Sequence, residues 1–347
     1  MLTDIKLRDF RCFDALECSF PPGLTAIVGH NAQGKTSLLE AACVLVRLQS
    51  PRASLLSRVI RHEQRGFLVD GHVAGRHLQF YYGRTRKKLA LDSLEQQDAH
   101  EYLAVGKAVW FANSDLELVR GSGEIRRRFL DFAAMQWHHG YRQHWREYEK
   151  ALRSRNALLK RVPARWAEIE AWEQPLVEHG VVLSRLRREL IDALSPHAVL
   201  AHGGISLGSE SLGLQYASAA TEDFAAALIA ARAEDGRLRQ TTVGPHRDDV
   251  LLTIGGEGAE FASEGQQRTI AISLKLALAH LLGALHGRPP LLLIDDVFGE
   301  LDPDRRNALF SQLPTGAQRI ITTTHLDWLE GVTPEVLFTM EAGRLLS

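Results

Sequence analysis

The sequence predicts an α/β fold: a mixed sheet flanked by helices, bearing a phosphate-binding glycine loop and interrupted by an inserted, mostly helical arm lobe with a short antiparallel helical hairpin. Three observations predict it. Gly29-His30-Asn31-Ala32-Gln33-Gly34-Lys35-Thr36 follows the strand-like run Leu24 to Val28 and precedes the helix-like run Ser37 to Leu48, the context this loop requires. Leu291 to Ile294, ending in Asp295-Asp296, reads as a buried parallel strand that delivers carboxylates to the crevice beyond its C-terminal end. Thr36 and Asp295, which must meet at one magnesium ion, lie 259 residues apart, so a large insertion interrupts the nucleotide domain. The expected boundaries are 1–113 and 241–347 for the two halves of the ATPase lobe and 114–240 for the arm.

The loop carries most of the expected chemistry. Backbone amides of Gly29, His30, Asn31, Ala32, Gln33 and Gly34 wrap the phosphates, and Ser37 opens the helix whose N-terminus adds positive partial charge. Lys35 reaches the outer phosphates and Thr36 offers its hydroxyl to magnesium. Ala32 stands where such loops often carry glycine, and it is expected to fit only if its backbone avoids positive φ. Asp295 is the expected second magnesium residue. Asp296 is expected to orient or deprotonate the attacking water; this task often falls to glutamate, and the shorter side chain implies slow turnover.

The insertion has a readable pattern. Apolar residues at Tyr141, Trp145, Tyr148, Leu152 and Leu159 fall close to a seven-residue repeat, which resumes after Pro163 at Trp166, Ile169, Leu176, Leu183, Leu186, Leu190 and Leu194. Two antiparallel helices joined near Pro163 are predicted, with Pro196 closing the second and the stripes serving as core. His202 to Ala220, rich in Gly, Ser and Ala, is the best linker candidate.

Composition excludes several classes. At 347 residues, 45% hydrophobic and 24% charged, the chain can fill two cores and is not a low-complexity protein. The charged N-terminus does not resemble a signal peptide, and the apolar stretch after Thr269 carries Lys275 and His280, so no membrane span and a cytoplasmic location are expected. Three cysteines, Cys12, Cys18 and Cys43, without a C-x-x-C pair support neither a disulfide framework nor a zinc site; buried free thiols are expected. The net charge of −1 hides local excesses: ten Lys/Arg against two Asp/Glu from Arg47 to Lys88, and twelve against four from Arg120 to Arg165. Clusters such as Arg84-Thr85-Arg86-Lys87-Lys88 and Arg126-Arg127-Arg128 would either form a solvated charged face or neutralise phosphates without reading sequence.

Ser263, followed three residues later by Gln266, forms a capping-box pattern that starts a long apolar helix over Glu264 to Leu285. A serine, Gly265 and free amides at a helix N-terminus also make a seat for a terminal phosphate.

With these residues in view, the chain resembles the RecF family, recombination mediators that are ABC-type relatives of the chromosome-maintenance ATPases. The resemblance runs nearly end to end: Leu7-Arg8-Asp9-Phe10-Arg11, Pro22-Gly23-Leu24 and the glycine loop; Ser114 to Val119 and Arg126 to Asp131; Gly244-Pro245-His246-Arg247-Asp248-Asp249; Ser263-Glu264-Gly265-Gln266-Gln267-Arg268; LLLIDDVFGELD from Leu291 to Asp302; and Thr324-His325. It departs just before Asn113-Ser114-Asp115, where relatives carry a proline and an acidic residue. The resemblance implies that Ser263, Gly265 and Gln266 face the ATP held by a partner copy, that His325 touches the terminal phosphate in its own subunit, that Arg11 approaches the nucleotide, and that Glu300 and Asp302 lie on a loop crossing the interface. It further implies an ATP- and magnesium-dependent head-to-tail homodimer that closes on DNA at single-strand gaps. Hydrolysis would be weak and DNA-stimulated, and the clamp would work with RecR and RecO to help RecA load in the SOS response. A transporter ATPase subunit is the first alternative, opposed by the arm and by Gly244 to Asp249. A short chromosome-maintenance ATPase is the second, opposed by arm length and cysteine count.

Overall fold

The computed structural model describes residues 1–163, 165–206, 210–219, 223–326 and 333–346. The chain opens with the hairpin β1 (Leu2–Phe10) and β2 (Phe13–Ser19), then β3 (Leu24–Val28), the glycine loop and α1 (Lys35–Arg47). β4 (Gly66–Val73), β5 (Arg76–Gly83), β6 (Lys87–Leu91), β7 (Leu94–Glu95), α2 (His100–Ala104) and β8 (Ala108–Ala112) follow. Next come α3 (Glu117–Arg120), α4 (Gly123–Trp137), α5 (Tyr141–Leu159), α6 (Trp166–Glu170), α7 (Glu173–Ile205), β9 (Leu212–Ala217), α8 (Phe224–Ala230), α9 (Arg232–Leu238), β10 (Asp249–Ile254), β11 (Glu257–Gly258) and α10 (Glu264–His286). The chain ends with β12 (Leu291–Asp295), α11 (Pro303–Gln312), β13 (Arg319–Thr323), β14 (Val336–Glu341) and β15 (Arg344–Leu346).

Contacts divide the chain into two units, Met1–Asp115 with Leu278–Ser347, and Leu116–Ala277. The second boundary falls well beyond the expected 240/241. β10 pairs with β9 and packs against α4, so residues 241–277 share a core with the arm rather than with the nucleotide lobe.

The first unit holds two six-stranded sheets, ordered β2-β1-β4-β5-β6-β7 and β15-β14-β3-β13-β12-β8. The first is antiparallel throughout, whereas β14, β3, β13, β12 and β8 run parallel. α1 touches strands of both sheets. This explains why its sequence, Leu38 to Val46, is apolar around the whole helix except at Glu40: a helix covered on both sides has no solvent face to mark with charge. Parallel pairing brings the ends of β3, β13 and β12 to one edge, with Thr323 opposite Val28 and Asp295 opposite Thr322.

In the second unit, α5 and α7 pack antiparallel in a regular register. Tyr141 meets Arg187, Tyr148 meets Gly180 and Arg155 meets Glu173, so contacts step by seven along both helices. Three details correct the sequence reading. Trp166 and Ile169 belong to a separate short helix, α6, packed with Leu158 and Leu159, instead of beginning the long helix. Pro196 lies inside α7, losing one backbone hydrogen bond in a helix anchored on both sides by Leu194 and Ala198. The supposed linker contains the last turn of α7 and β9; its residues 207–209 and 220 lie outside the described residues.

α10 is the one helix among the described residues long and apolar enough to cross a membrane, with a mean hydropathy of 1.5 over its best window. Two-thirds (67%) of that window is buried within the protein, as expected of a core helix. Cys18 and Cys43 are buried, burial pushing the Cys18 thiol up to about 12, but Cys12 is exposed at the β1–β2 turn, against expectation.

Candidate nucleotide site

The glycine loop leaves β3 with little spare room. A Cβ on Gly29 would lie 2.4 Å from the Met340 carbonyl of β14, and one on Gly34, whose φ is 110°, would lie 3.1 Å from Cys12 at the β1–β2 turn and from Phe13 at the start of β2. The turn between β14 and β15 closes on the loop from another side: the Gly343 amide donates to the Gln33 carbonyl at 3.1 Å, and the Ala342 amide donates to the Gln33 side-chain oxygen. Ala32 sits at φ 65°, contrary to the expected avoidance of positive φ. The contacts on either side set the loop path, and the alanine follows it into a region that costs an L-residue about 1–2 kcal/mol.

Lys35 opens α1 and donates from Nζ to the carbonyls of Gly29 and, at 2.8 Å, His30. Burial pulls its ammonium pKa down, while Asp296 and then Asp295 pull it back. One residue on, the Thr36 hydroxyl donates to Asp295 Oδ1 at 2.8 Å. Thr322, one strand over, donates to the same oxygen at 2.7 Å. Asp296, just past β12, is held at φ 55° by its own amide donating to Thr322 O at 3.1 Å and by Asn113 Nδ2 donating to its carbonyl at 3.1 Å. Aspartate tolerates this left-handed conformation better than most residues. Burial raises its carboxyl pKa and Asp295 and Glu300 add to that, against the lowering by Lys35 and by the Thr324 backbone. The result is a more basic carboxylate within electrostatic influence of a lysine.

His325 is exposed immediately after β13, where its amide donates to Thr323 Oγ1 at 3.3 Å. It therefore emerges just beyond the strand neighbouring β3, where the amide of Gly29, the first residue after β3, donates to Thr323 O at 3.3 Å. Arg11 is committed elsewhere: Nε and Nη2 grip both oxygens of buried Glu40 at 2.8 Å, and Nη1 donates to Arg58 O at 3.1 Å. Asp302 caps α11 through the Arg305 amide at 2.9 Å. Asp115 accepts from the Ala112 amide at 2.8 Å.

In the second unit the capping box forms in both directions. The Ser263 amide donates to Gln266 Oε1 at 2.8 Å, and the Gln266 amide donates to Ser263 Oγ at 3.3 Å. Gln266 Nε2 also donates to Glu210, a partner that carried no sequence signal because it follows the arm helix 56 residues away. Ser263 is exposed and Gly265 half-buried, so the first turn of α10 faces solvent.

Gly244 to Asp249 proves to be a buried joint. Gly244 has φ 123° and no room for a Cβ between Phe224 and Tyr148. The Pro245 carbonyl accepts from Arg187 at 2.6 Å. The His246 Nε2–H donates to Thr241 O at 2.9 Å, leaving Nδ1 to accept from Tyr148 Oη at 2.7 Å; burial pushes this imidazole down to about 4. Buried Asp248 accepts from Tyr216, from the Ala219 amide at 2.8 Å and from Arg187 at 3.3 Å. Asp249 chelates Arg126 at 2.6 and 2.8 Å, and the Asp248 carbonyl accepts from Arg127 at 2.7 Å. Two members of the Arg126-Arg127-Arg128 cluster are thus spent inside the fold. Arg155, also counted in the basic excess, is fully buried between Asp235 and Glu173.

The family model for the RecF/RecN/SMC N terminal domain matches residues 1–344. The DNA replication and repair protein RecF of Bacillus cereus (strain AH820) is 34% identical over 352 aligned positions, covering 96% of this chain and 94% of that one. The chain belongs to the RecF family. RecF of Bacillus anthracis (strain CDC 684 / NRRL 3495) matches to the same extent. The solved structure of the recombination mediator protein RecF-ATP in the RecFOR pathway superposes with a TM-score of 0.89 at 27% identity, covering 100% of this chain and 97% of that one. An Smc head bound to the C-winged helix domain of ScpA, 15% identical with a TM-score of 0.56 over 99% of this chain and 95% of that one, shares the fold. The fold is the ABC-type ATPase head with an inserted helical arm, and the chain is a member of a DNA replication and repair family that binds ATP. Against that family background, the contacts the sequence reading missed are Thr322 on Asp295, Asn113 on the Asp296 carbonyl and Glu210 on Gln266. Of these, only Thr322 carried a signal, as part of the Thr322-Thr323-Thr324-His325 run at the end of a strand.

Proposed function

We propose that this chain is an ATP-gated DNA clamp of recombinational repair. Two copies associate head to tail when ATP is bound, close on DNA at single-strand gaps and separate after slow hydrolysis that DNA stimulates. The observation that carries this reading is the convergence of Lys35, Thr36, Asp295 and Asp296 around one loop, together with an exposed capping-box turn at Ser263 on the other unit. A nucleotide contacted by one copy's loop and the other copy's helix N-terminus is fully bound only in the dimer, so ATP shifts the monomer–dimer equilibrium.

Gly29, His30, Asn31, Ala32, Gln33, Gly34 and Ser37 line the phosphates in this reading, and Arg11 acts from behind by fixing Glu40 and α1 rather than by touching the nucleotide. Thr36 and Asp295 offer hard oxygen donors to one point, which suits magnesium, and these two residues would hold it. The ion would neutralise phosphate charge. Asp296 takes the proton of the attacking water, a role supported by its raised pKa. His325 donates toward the terminal phosphate, and Ser263, Gly265 and Gln266 receive that phosphate from the partner. Membership of a family with a RecFOR-pathway structure supports RecR and RecO as partners, RecA loading as the outcome, an SOS role and a cytoplasmic location.

The test is nucleotide binding and turnover in three variants. Lys35→Ala is expected to lose nucleotide binding. Ser263→Ala is expected to keep the ATP binding of a single copy yet fail to dimerise, losing only the gain in affinity that the partner supplies. Asp296→Asn is expected to bind, dimerise and stay closed with hydrolysis reduced at least 100-fold; normal turnover by that variant would remove Asp296 as the base.

A further inference from the structure

The two basic excesses of the sequence do not survive folding equally. In the antiparallel sheet of the first unit, Lys6 pairs with Glu17 at 2.8 Å, Arg76 with Asp92, and Lys88 with Glu95 at 3.0 Å. Arg61 is shared by Asp9 and Asp14 at 3.1 and 2.7 Å. At the end of the sheet where β5 turns into β6 the balance fails. Arg65, Arg84, Arg86 and Lys87 are all exposed, and among the described residues none has a carboxylate within ion-pair distance.

The fold gathers these four charges. The Arg84 amide donates to Arg65 O at 3.2 Å, and the Gly83 amide donates to Arg86 O at 2.8 Å, which brings the strand entering β4 against the turn. The Lys87 ammonium lies 5.0 Å over the Tyr82 ring, which itself stacks on Phe67 at 5.6 Å. Between the cations Gly66 faces Gly83 across the ladder. A Cβ at Gly66 would lie 2.9 Å from the Tyr81 hydroxyl, and one at Gly83 would lie 2.8 Å from it, so that hydroxyl lies across a floor without side chains. Glycines in strands mark places where another backbone can approach closely.

We infer that this β5–β6 turn, with Arg65, Arg84 and Arg86 at the end of the sheet, the Tyr81 hydroxyl on one face and Lys87 over Tyr82 on the other, is a docking surface for the phosphate backbone of DNA. The inference rests on the clamp reading above and names the surface that reading leaves open. Uncompensated cations on a rigid ladder neutralise phosphates at no cost of breaking internal ion pairs, and a tyrosine hydroxyl adds a neutral phosphate contact. Nothing on the turn offers a fork buried against a base edge, so the contact is independent of sequence. The clusters spent inside the fold, Arg126-Arg127 and Arg155, contribute nothing to it.

The experiment measures affinity for a 30-base-pair duplex of arbitrary sequence between 50 and 200 mM salt, with ATP present. It compares the full chain with the triple variant Arg65→Gln/Arg84→Gln/Arg86→Gln and with the control Lys6→Gln/Arg76→Gln, whose cations are paired on the same sheet. If each arginine neutralises one phosphate, the triple variant loses about 2.7 from the slope of log affinity against log salt for each copy engaged, about 5.4 for the ATP-bound dimer, so the dimer's affinity changes roughly 2,000-fold less over that range. The control keeps the slope of the full chain. All replaced side chains are exposed, and unchanged ATP binding by the triple variant verifies its fold. An unchanged slope in the triple variant overturns the proposal and leaves the turn to an acidic protein partner. Absence of salt-dependent duplex binding by the full chain would defeat the clamp reading itself, a separate result.

Discussion

At Ala32 and Asp296 the loop and the acidic strand end both force non-glycine residues into left-handed backbone, and the two cases carry different consequences. For Ala32, replacement by glycine removes about 1–2 kcal/mol of backbone strain and adds about 0.4–1 kcal/mol of unfolded-state entropy. Ala32→Gly is therefore expected to stabilise the protein by roughly 0.5–1 kcal/mol, readable as a shift in urea midpoint; a loss of stability would mean that the alanine methyl makes contacts that outweigh the strain. For Asp296 the left-handed backbone is one that aspartate tolerates, and it leaves the carboxylate within electrostatic influence of Lys35 and Asp295. His246 sets a third residue-scale expectation, in pH. Its folded pKa of about 4 lies below the unfolded 6.5, so the unfolded chain takes up the proton first. Stability contributed by neutral His246 is complete above pH 6.5 and is lost as pH falls toward 4, by about 3 kcal/mol in all. Denaturant unfolding of the full chain and of His246→Gln across that window checks it: the difference between the two profiles should shrink with acid, and a constant difference would contradict the neutral, twice-bonded imidazole.

Among the elements, α5 and α7 show where the sequence was legible and where it was not. The seven-residue spacing of Tyr141, Tyr148 and the leucines announced the hairpin, because a packed helical seam must repeat in that way. The same spacing carries Arg155 into the seam, and no pattern could reveal that its partners Asp235 and Glu173 would arrive from α9 and α7. Arg155→Ala is expected to cost about 3 kcal/mol by leaving the buried Asp235 carboxylate without its cation, while Glu173 keeps Arg232, and so to cost far more than loss of an exposed arginine on the same helix such as Arg153. Thermal unfolding of the two variants separates these cases, and similar small losses would mean the ion pair is weakly held. Pro196 misled because helix breaking is a local preference, overruled where flanking turns are buried. The strands at Leu24, Leu291 and Arg319 were plain as apolar runs ending in polar ligands, since a parallel strand covered on both faces has no other way to read. Gly244 to Asp249 stood out in sequence without a meaning. Its hydrogen bonds reach Tyr148, Arg187, Tyr216 and Arg126, all distant in the chain, which only folding could join.

For the whole molecule, the phosphate-loop half of the site and the exposed Ser263 turn belong to different compact units, and the clamp account makes each copy supply one of them to its partner. The basic β5–β6 turn gives such a dimer a reason to depend on salt as well as on nucleotide. Replacing Ser263 by alanine removes one direction of the capping box, a loss of about 1 kcal/mol that leaves the helix folded, so its effect on assembly can be read separately from its effect on stability. Sedimentation velocity with and without magnesium-ATP tests the account most directly. It predicts a monomer without nucleotide, a dimer with it, and a monomer under both conditions for Ser263→Ala; a full chain whose sedimentation does not respond to ATP would contradict it.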